Sequence, residues 1–218
     1  MARGATLYLD VWSDYVCPFC YLELPVLNEF REIYGDSVEV RWHAFELRPE
    51  PVAIPEADDE SVIDSWEDNI YPMATERMLT MRLPSINTRS RKALEAARFS
   101  QEAGAFDVMH QALFKAYFED SLDIGDTDVL IDIGSTVGLD PEALDEALRE
   151  DRFAASVQED EDFAKQLGIT SVPFIVLSRD AAPDQEAPPP PIALRGAAPI
   201  EHFEAAVHRL FPDGFPGD

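Results

Sequence analysis

The feature that most constrains the fold is a single C-x-x-C that separates an apolar run from an amphipathic stretch. Leu7 to Trp12 is almost continuously apolar, which predicts a strand buried on both faces. The segment Cys17-Pro-Phe-Cys20 follows, and apolar residues then recur at helical spacing until Gly35 supplies a stop. Apolar and polar residues alternate from Val38 to His43, which predicts a second strand. Strand, helix and strand in this order predict a βαβ unit with a right-handed crossover.

The rest of the chain predicts a helical block and then two further strands. Between 59 and 168 helical periods dominate and strand patterns vanish. Pro173 to Leu177 is a short apolar strand, and Ile192 to Arg195 is its predicted hairpin partner. The loop from Ala181 to Pro191 ends in four prolines and is predicted to be exposed, because proline has no amide hydrogen for a sheet. A helix that opens at Pro199 completes the order.

These patterns predict one α/β domain that is interrupted by helices. Residues 1–58 and 169–212 are assigned to the two halves of that discontinuous domain. Residues 59–168 form a helical insertion between the βαβ and ββα halves, and 213–218 form a C-terminal tail. With 218 residues and 46% hydrophobic content, the chain can bury a core without a metal or a cystine.

The chain is strongly acidic, with 43 Asp and Glu residues against 17 Lys and Arg residues and a formal net charge of -26. Such a surface repels phosphate groups, so neither a nucleic acid nor an anionic membrane is expected as a partner. The lysines are Lys92, Lys115 and Lys165 alone, and the acids are dispersed along the chain. This composition suits a cytosol of very high salt, where a Debye length of about 3 Å at 1 M screens self-repulsion.

We therefore expect the fold to loosen when salt is removed, because unscreened carboxylates then repel one another. The melting temperature, measured while NaCl is diluted from the molar to the millimolar range, should fall. A melting temperature that is insensitive to molar salt would contradict this halophilic interpretation.

The sequence predicts a cytoplasmic protein. The apolar stretch at the N-terminus is short and ends at Asp10, and no small-residue cleavage site follows it. No run of about 18 apolar residues, the length that predicts a membrane span, occurs in the chain.

The two cysteines of the chain, Cys17 and Cys20, both belong to the C-x-x-C. A zinc site usually has four ligands, and the four histidines are not spaced as partners for this pair, so no metal site is predicted. A structural disulfide across so short a loop would remove little entropy from the unfolded chain. The pair is therefore interpreted as a redox dithiol, with inert buried thiols as the alternative.

The expected position of the pair gives the two sulfurs different roles. Cys17 would lie at a helix N-terminus, where free amides and the helix dipole stabilise a thiolate, and Pro18 suits the first helical turn. Cys17 is predicted to be the exposed nucleophile, and Cys20, one turn further and more buried, the resolving cysteine. Phe19 adds no positive charge, so the acidification of Cys17 should be moderate. Pro18 and Phe19 are predicted to contact the substrate.

Pro173 stands directly before a predicted strand and allows two interpretations. A cis Val172-Pro173 bond would leave the Val172 backbone free to pair with an extended peptide substrate. Alternatively, Pro173 only opens the strand. The residues by themselves favour neither.

Five segments of the chain, taken in order, carry a resemblance to a known family: Ser13–Tyr21, Val40–Pro49, Leu113–Phe118, Gly168–Phe174 and Arg195–Pro199. Together they resemble the FrnE-type branch of the DsbA-like thioredoxin superfamily, from about residue 6 to 210. The resemblance implies a thioredoxin-like fold with a large helical insertion, thiol-disulfide exchange at the dithiol, and a cis-proline loop facing it. Cys17, Cys20 and Pro173 match those roles position by position. Glu23 departs from the pattern because relatives commonly have glycine there, and the helix near Lys92 lacks a histidine that many members carry.

Other side chains were candidates for the site. Asp14 could relay a proton for the resolving cysteine, but a solvated or helix-capping carboxylate is favoured on so acidic a chain. His43 is interpreted as a structural histidine rather than a site residue. The aromatic stripe from Phe106 to Phe118 is expected mainly to pack the insertion, and Trp12 and Trp42 to pack the sheet.

Three functions remain. The first is a thiol-disulfide oxidoreductase or isomerase that acts on protein or small-molecule thiols and disulfides, without a cofactor and with glutathione as the candidate co-substrate. The second is a glutathione-dependent isomerase or transferase of small aromatic substrates, similar to the 2-hydroxychromene-2-carboxylate isomerases, which usually carry serine at the Cys17 position. The third is a module that binds a soft metal ion through the dithiol.

Overall fold

The computed structural model describes residues 7–56, 59–181 and 187–215. Within these residues a four-stranded sheet has the strand order β2-β1-β3-β4. The strands are β1 (Leu7–Ser13), β2 (Val38–Ala44), β3 (Phe174–Arg179) and β4 (Ile192–Arg195). Strand β1 runs parallel to β2 and antiparallel to β3, and β3 runs antiparallel to β4. The predicted α/β fold class is therefore confirmed.

Helices cover the sheet and fill the chain between β2 and β3. They are α1 (Pro18–Tyr34), α2 (Glu60–Ser65), α3 (Tyr71–Glu76), α4 (Arg91–Glu102), α5 (Phe106–Phe118), α6 (Thr127–Thr136), α7 (Pro141–Arg149), α8 (Ala154–Gln166) and α9 (Ile200–Leu210). A π-helical turn, Trp66–Ile70, joins α2 to α3. None of the described helices is both long and apolar enough to cross a bilayer.

Strand β1 lies in the interior because its apolar side chains are buried. Leu7, Leu9 and Val11 pack with Phe30 of α1 and Phe203 of α9, which forms one hydrophobic core of the protein. Burial of such a set supplies a large favourable free energy, roughly 1.5–3 kcal/mol for each large aliphatic or aromatic side chain. The end of β1 and the start of α1 are thereby held in fixed positions.

The helical insertion has a second core, built around α5. Phe114 and Phe118 are fully buried. The ring of Tyr21, on α1, stacks against both, with centroids 5.2 and 5.8 Å apart. The expectation that the aromatic stripe mainly packs the insertion is confirmed, and this packing joins the insertion to the helix that carries the dithiol.

The observed elements differ from the predicted ones in detail. Strand β3 extends to Arg179, two residues beyond the predicted end at Leu177. In the predicted proline-rich loop, 182–186 lies outside the described residues, and 187–191 is mostly exposed. Phe215 belongs to the predicted C-terminal tail but is buried against Tyr34, with ring centroids 4.9 Å apart. Residues 216–218 of that tail also lie outside the described residues.

Candidate active site

The two cysteines lie at the start of helix α1, just after the end of strand β1. Cys17 has extended backbone angles, φ -94 and ψ 112, and precedes Pro18, the first residue of α1. The Cys17 carbonyl oxygen accepts hydrogen bonds from the amides of Cys20 and Tyr21, at 3.0 and 3.3 Å. Both cysteines are free thiols in the structure. The predicted location of the pair at a helix N-terminus is therefore confirmed.

The prediction that Cys17 is exposed, and Cys20 more buried than Cys17, is wrong. The two residues are 3% and 4% exposed. The physical reason is tertiary: both pack into the core shared by α1 and the insertion, and the segment before β3 covers the Cys17 sulfur. The Cys17 thiol donates a hydrogen bond to the Val172 carbonyl oxygen at 3.5 Å. Burial raises the pKa of the Cys20 thiol, and its interactions with Cys17 raise it further, so Cys20 is held protonated.

The segment before β3 is fixed beside the dithiol. The Val172-Pro173 peptide bond is cis. The Pro173 carbonyl oxygen accepts a hydrogen bond from the Gly196 amide at 2.9 Å, which ties the segment to the loop before α9. Val172 and Pro173 are buried, whereas Pro18 and Phe19 are half-buried. Pro18 and Phe19 are therefore more accessible from solvent than Val172 and Pro173 are.

Asp14 is not the solvated or helix-capping carboxylate that the sequence favoured, because it is 1% exposed. Its Oδ2 accepts a hydrogen bond from the Leu47 amide at 2.7 Å, and its Oδ1 accepts one from the Val16 amide at 3.3 Å. Burial raises the pKa of Asp14 to about 6, although the hydrogen bonds lower it. The Asp14 backbone and the Ser13 hydroxyl group also hydrogen-bond to Cys20 and act to lower its pKa. Asp14 thus joins the dithiol to the loop after β2.

His43 has the structural role that the sequence favoured. Its Nε2 lies 2.9 Å from Asp10 Oδ1, and its Nδ1 lies 3.0 Å from Asp160 Oδ1. The ring stacks against Trp12, with centroids 4.5 Å apart. Both ring nitrogens are engaged by carboxylates, so neither is available for the dithiol.

Sequence analysis missed a buried polar pair in the aromatic stripe. The Tyr15 hydroxyl group lies 2.7 Å from Nδ1 of His110, and both side chains are buried. Burial lowers the pKa of His110 to about 3, so its ring is neutral. Its Nε2 has no hydrogen-bond partner among the described residues. The His110 side chain lines a cavity of about 20 Å³ beside Trp42, enough for one water molecule. The available signal was a histidine at an apolar position of α5.

Sequence analysis also missed Arg48. This residue lines a cleft of about 200 Å³ beside Val16 and Pro18, between the dithiol segment and the insertion. Trp66 and Phe118 form part of its apolar wall. The signal in the sequence was weak, because Arg48 lies within the Val40–Pro49 match but nothing in that segment marks its side chain for a site.

Among the residues that the structure describes, the dithiol has no third metal ligand nearby. In the described part of the chain, no group of three or more His, Cys, Asp or Glu side chains is arranged to hold a metal ion. A soft-metal site usually needs more than two thiolates.

Comparisons with known proteins agree with this fold. Residues 8–208 match the family described as DSBA-like thioredoxin domain. The chain is 31% identical over 207 residues to the uncharacterized protein YwbO of Bacillus subtilis (strain 168), a match that covers 93% of this chain and 96% of YwbO.

Two solved structures share the fold. A probable DsbA oxidoreductase, SCO1869 from Streptomyces coelicolor, has a TM-score of 0.75 and 25% sequence identity, over 97% of this chain and 93% of that one. A 2-hydroxychromene-2-carboxylate isomerase has a TM-score of 0.74 and 18% identity, over 94% of this chain and 97% of that one. The predicted thioredoxin-like fold is thus confirmed, and because the family match spans both cysteines and Pro173, the chain belongs to the DsbA-like thioredoxin domain family.

Proposed function

We propose that this protein is a thiol-disulfide oxidoreductase in which Cys17 is the nucleophile and Cys20 the resolving cysteine. One observation carries the proposal: two free thiols lie at the N-terminus of α1, beside the cis Val172-Pro173 bond. Free amide groups at a helix N-terminus favour a thiolate on the first cysteine. The raised pKa of Cys20 keeps the second cysteine protonated until it is needed.

The exchange has two steps. The Cys17 thiolate attacks one sulfur of a substrate disulfide, the substrate S–S bond breaks, and the released thiolate takes up a proton. Cys20 then loses its proton and attacks the Cys17 sulfur, which forms the Cys17-Cys20 disulfide and releases the second substrate thiol. An external thiol, such as glutathione, reduces the protein disulfide and closes the cycle. The same steps in reverse oxidise a substrate dithiol, and the reduction potentials of the two pairs decide the direction.

Asp14 is the candidate proton acceptor in the second step. Its carboxylate is buried, its backbone contacts Cys20, and its pKa of about 6 allows it to exchange a proton near neutral pH. The same proposal has three further parts. The protein belongs to the FrnE-type branch, it is cytoplasmic, and its substrate is contacted by Pro18, Phe19, Val172 and Pro173. Protein disulfides and small-molecule disulfides both belong to the proposed substrate class.

The dithiol favours exchange over the two alternatives. A glutathione-dependent isomerase has no need of a resolving thiol, and the likeness to the 2-hydroxychromene-2-carboxylate isomerase at 18% identity concerns the fold alone. A soft-metal module would need ligands beyond Cys17 and Cys20. The isomerase alternative does not explain why a second thiol contacts the first at the start of α1.

We expect the Cys20→Ser variant to accumulate a mixed disulfide with substrate, because the second step is lost while the nucleophile remains. Reduced variant is incubated with oxidised glutathione or insulin in molar salt, and the adduct is located by mass spectrometry without reduction. The adduct should map to Cys17 and disappear on addition of dithiothreitol.

The matched control is the Cys17→Ser variant, which keeps Cys20 and should form little adduct because the raised pKa of Cys20 keeps its thiol protonated. Adduct formation at Cys20, at the rate seen for Cys17, would show that the two roles are assigned wrongly. Absence of any adduct in both variants would overturn the proposed activity.

A further inference from the structure

The cleft beside the dithiol is a small candidate binding site with apolar walls and with the polar side chains of Ser61, Ser65 and Asn87. Val16 and Pro18 form the wall on the side of the cysteines, and Trp66, Ile70 and Phe118 are among the apolar residues that line the rest. Its volume is about 200 Å³. An apolar protein cavity of ~150 Å³ accommodates benzene, so this cleft has room for an aromatic ring with a substituent.

One cationic side chain lines this cleft. The Arg48 guanidinium group makes no hydrogen bond or ion pair with any residue that the structure describes, whereas Arg77, Arg91 and Lys92 are all held by carboxylates. Arg48 also helps, as the smallest of several influences, to lower the pKa of the buried Asp14, although the two side chains form no ion pair. An unpaired guanidinium group retains its full capacity to bind a carboxylate in two parallel hydrogen bonds.

The backbone around Arg48 is held on both sides. The amide of the preceding residue, Leu47, donates to Asp14 Oδ2 at 2.7 Å. The Arg48 carbonyl oxygen accepts a hydrogen bond from Arg89 Nη1 at 2.6 Å. A fixed backbone lowers the entropy that the side chain loses when it binds a ligand, so Arg48 is well prepared to hold one.

The overall charge of the protein makes this position selective. With 43 acidic residues and a net charge of -26, the surface as a whole repels anions. A cation that has no partner among the described residues, at a partly apolar cleft beside the dithiol segment, therefore attracts a carboxylate to one place. A neutral aromatic group would fill the same cleft without forming this charged pair.

We propose that this cleft binds one half of the disulfide substrate and that Arg48 selects substrates in which that half is an apolar or aromatic group bearing a carboxylate. The inference rests on the proposed thiol-disulfide exchange and adds the substrate class. In the step concerned, the Cys17 thiolate forms a bond to one substrate sulfur, the substrate S–S bond breaks, and the other sulfur leaves as a thiolate. Arg48 takes no part in this chemistry and acts on binding alone.

The test compares two aromatic disulfides that differ in charge. 5,5′-Dithiobis(2-nitrobenzoate) carries a carboxylate on each ring, and 4,4′-dithiodipyridine carries none. The second-order rate constant of the reduced protein is measured with each probe, at one pH and in molar salt, for the wild type and for Arg48→Gln and Arg48→Lys. We expect Arg48→Gln to slow the carboxylated probe about tenfold, the equivalent of one charge-assisted hydrogen bond, and the neutral probe less than about twofold. Arg48→Lys should give an intermediate loss, because it keeps the charge but not the bidentate geometry.

The matched control is Arg209→Gln, which removes one exposed positive charge from the last turn of α9. It should leave both rate constants unchanged, because α9 packs against the sheet and α1 rather than the cleft. Equal slowing of both probes by Arg48→Gln would show that Arg48 acts through Asp14, and would overturn the inference. Equal rates for the wild type and Arg48→Gln with both probes would overturn it as well. In either case the exchange activity stands, whereas a wild type that reacts with neither probe would overturn the proposed function itself.

Discussion

The Cys17→Ser variant is expected to lose insulin disulfide reduction on the order of 10³-fold or more, measured in molar salt with dithiothreitol as the reductant. A serine hydroxyl group is hardly ionised near neutral pH and forms no disulfide, so the first step of exchange has no nucleophile. Cys20 is a poor substitute because its pKa is raised. The rate that remains should therefore approach the uncatalysed rate of insulin reduction by dithiothreitol.

The matched control for this variant is Cys20→Ser, which removes the other sulfur of the same core. It should lose multiple turnovers but keep a single stoichiometric reaction with substrate, because the nucleophile is intact. Circular dichroism shows whether both variants fold. Full insulin reduction by folded Cys17→Ser would contradict the assigned role of Cys17, and with it the proposed mechanism.

The Arg77→Met variant is expected to lower the free energy of unfolding by about 3–5 kcal/mol, or the melting temperature by roughly 6 to 20 °C. Arg77 follows helix α3, and its Nη1 donates to Leu22 O at 2.6 Å and to Glu23 Oε2 at 3.2 Å. Its Nη2 donates to the carbonyl oxygens of Ala197 and Ala198. Methionine retains the apolar bulk but leaves these acceptors unpaired. The melting temperature, measured in molar salt, checks the prediction.

The loss of stability caused by Arg77→Met should become larger as the pH rises. Burial raises the pKa of Glu23 to about 8, although Arg77 lowers it, and Glu23 is 1% exposed. Because the pKa of Glu23 in the folded state lies above its ordinary value of 4.5, the folded state binds more protons and stability falls as the pH rises from about 4.5 to 8. Without Arg77 the folded pKa rises further, so stability continues to fall above pH 8. The difference in melting temperature between the wild type and Arg77→Met should widen from pH 7 to pH 9.

Two variants keep this prediction testable. Glu23→Gln removes the titrating group and retains an acceptor for Arg77. In this Glu23→Gln background, the change in melting temperature caused by Arg77→Met should no longer depend on pH. The double variant Glu23→Leu, Arg77→Met should be more stable than Arg77→Met alone, because it leaves no buried carboxyl group without a partner. A difference in melting temperature that stays constant between pH 7 and pH 9 would contradict the role given to Glu23.

Local sequence patterns predicted the elements that surround the dithiol. The apolar run of β1, the helical period of α1 and the proline after Cys17 each depend on residues only a few positions apart, and such signals survive in the sequence. The strand after Pro173 was found for the same reason, with an error of two residues at its end. These elements determine where the pair lies on the chain and in the fold.

The environment of the pair depends on residues that are far apart in sequence. The contact between Cys17 and Val172 joins positions separated by 155 residues, and it buries a sulfur that a helix N-terminus alone would expose. Asp14 carries no sequence signal of burial, because the partner that makes it structural, Leu47, lies on another loop. Arg77 likewise connects the insertion to α1 and to the segment before α9.

The sequence by itself determined the fold class, the order of strands and helices, and the position of the dithiol at the start of a helix. Only the tertiary structure decided how deeply the sulfurs are buried, which carboxyl groups are paired, and that Arg48 faces a cleft beside them. The physical reason is that backbone preferences and hydrophobic periods act over a few residues, whereas burial and charge pairing are set by whichever segments the folded chain brings together.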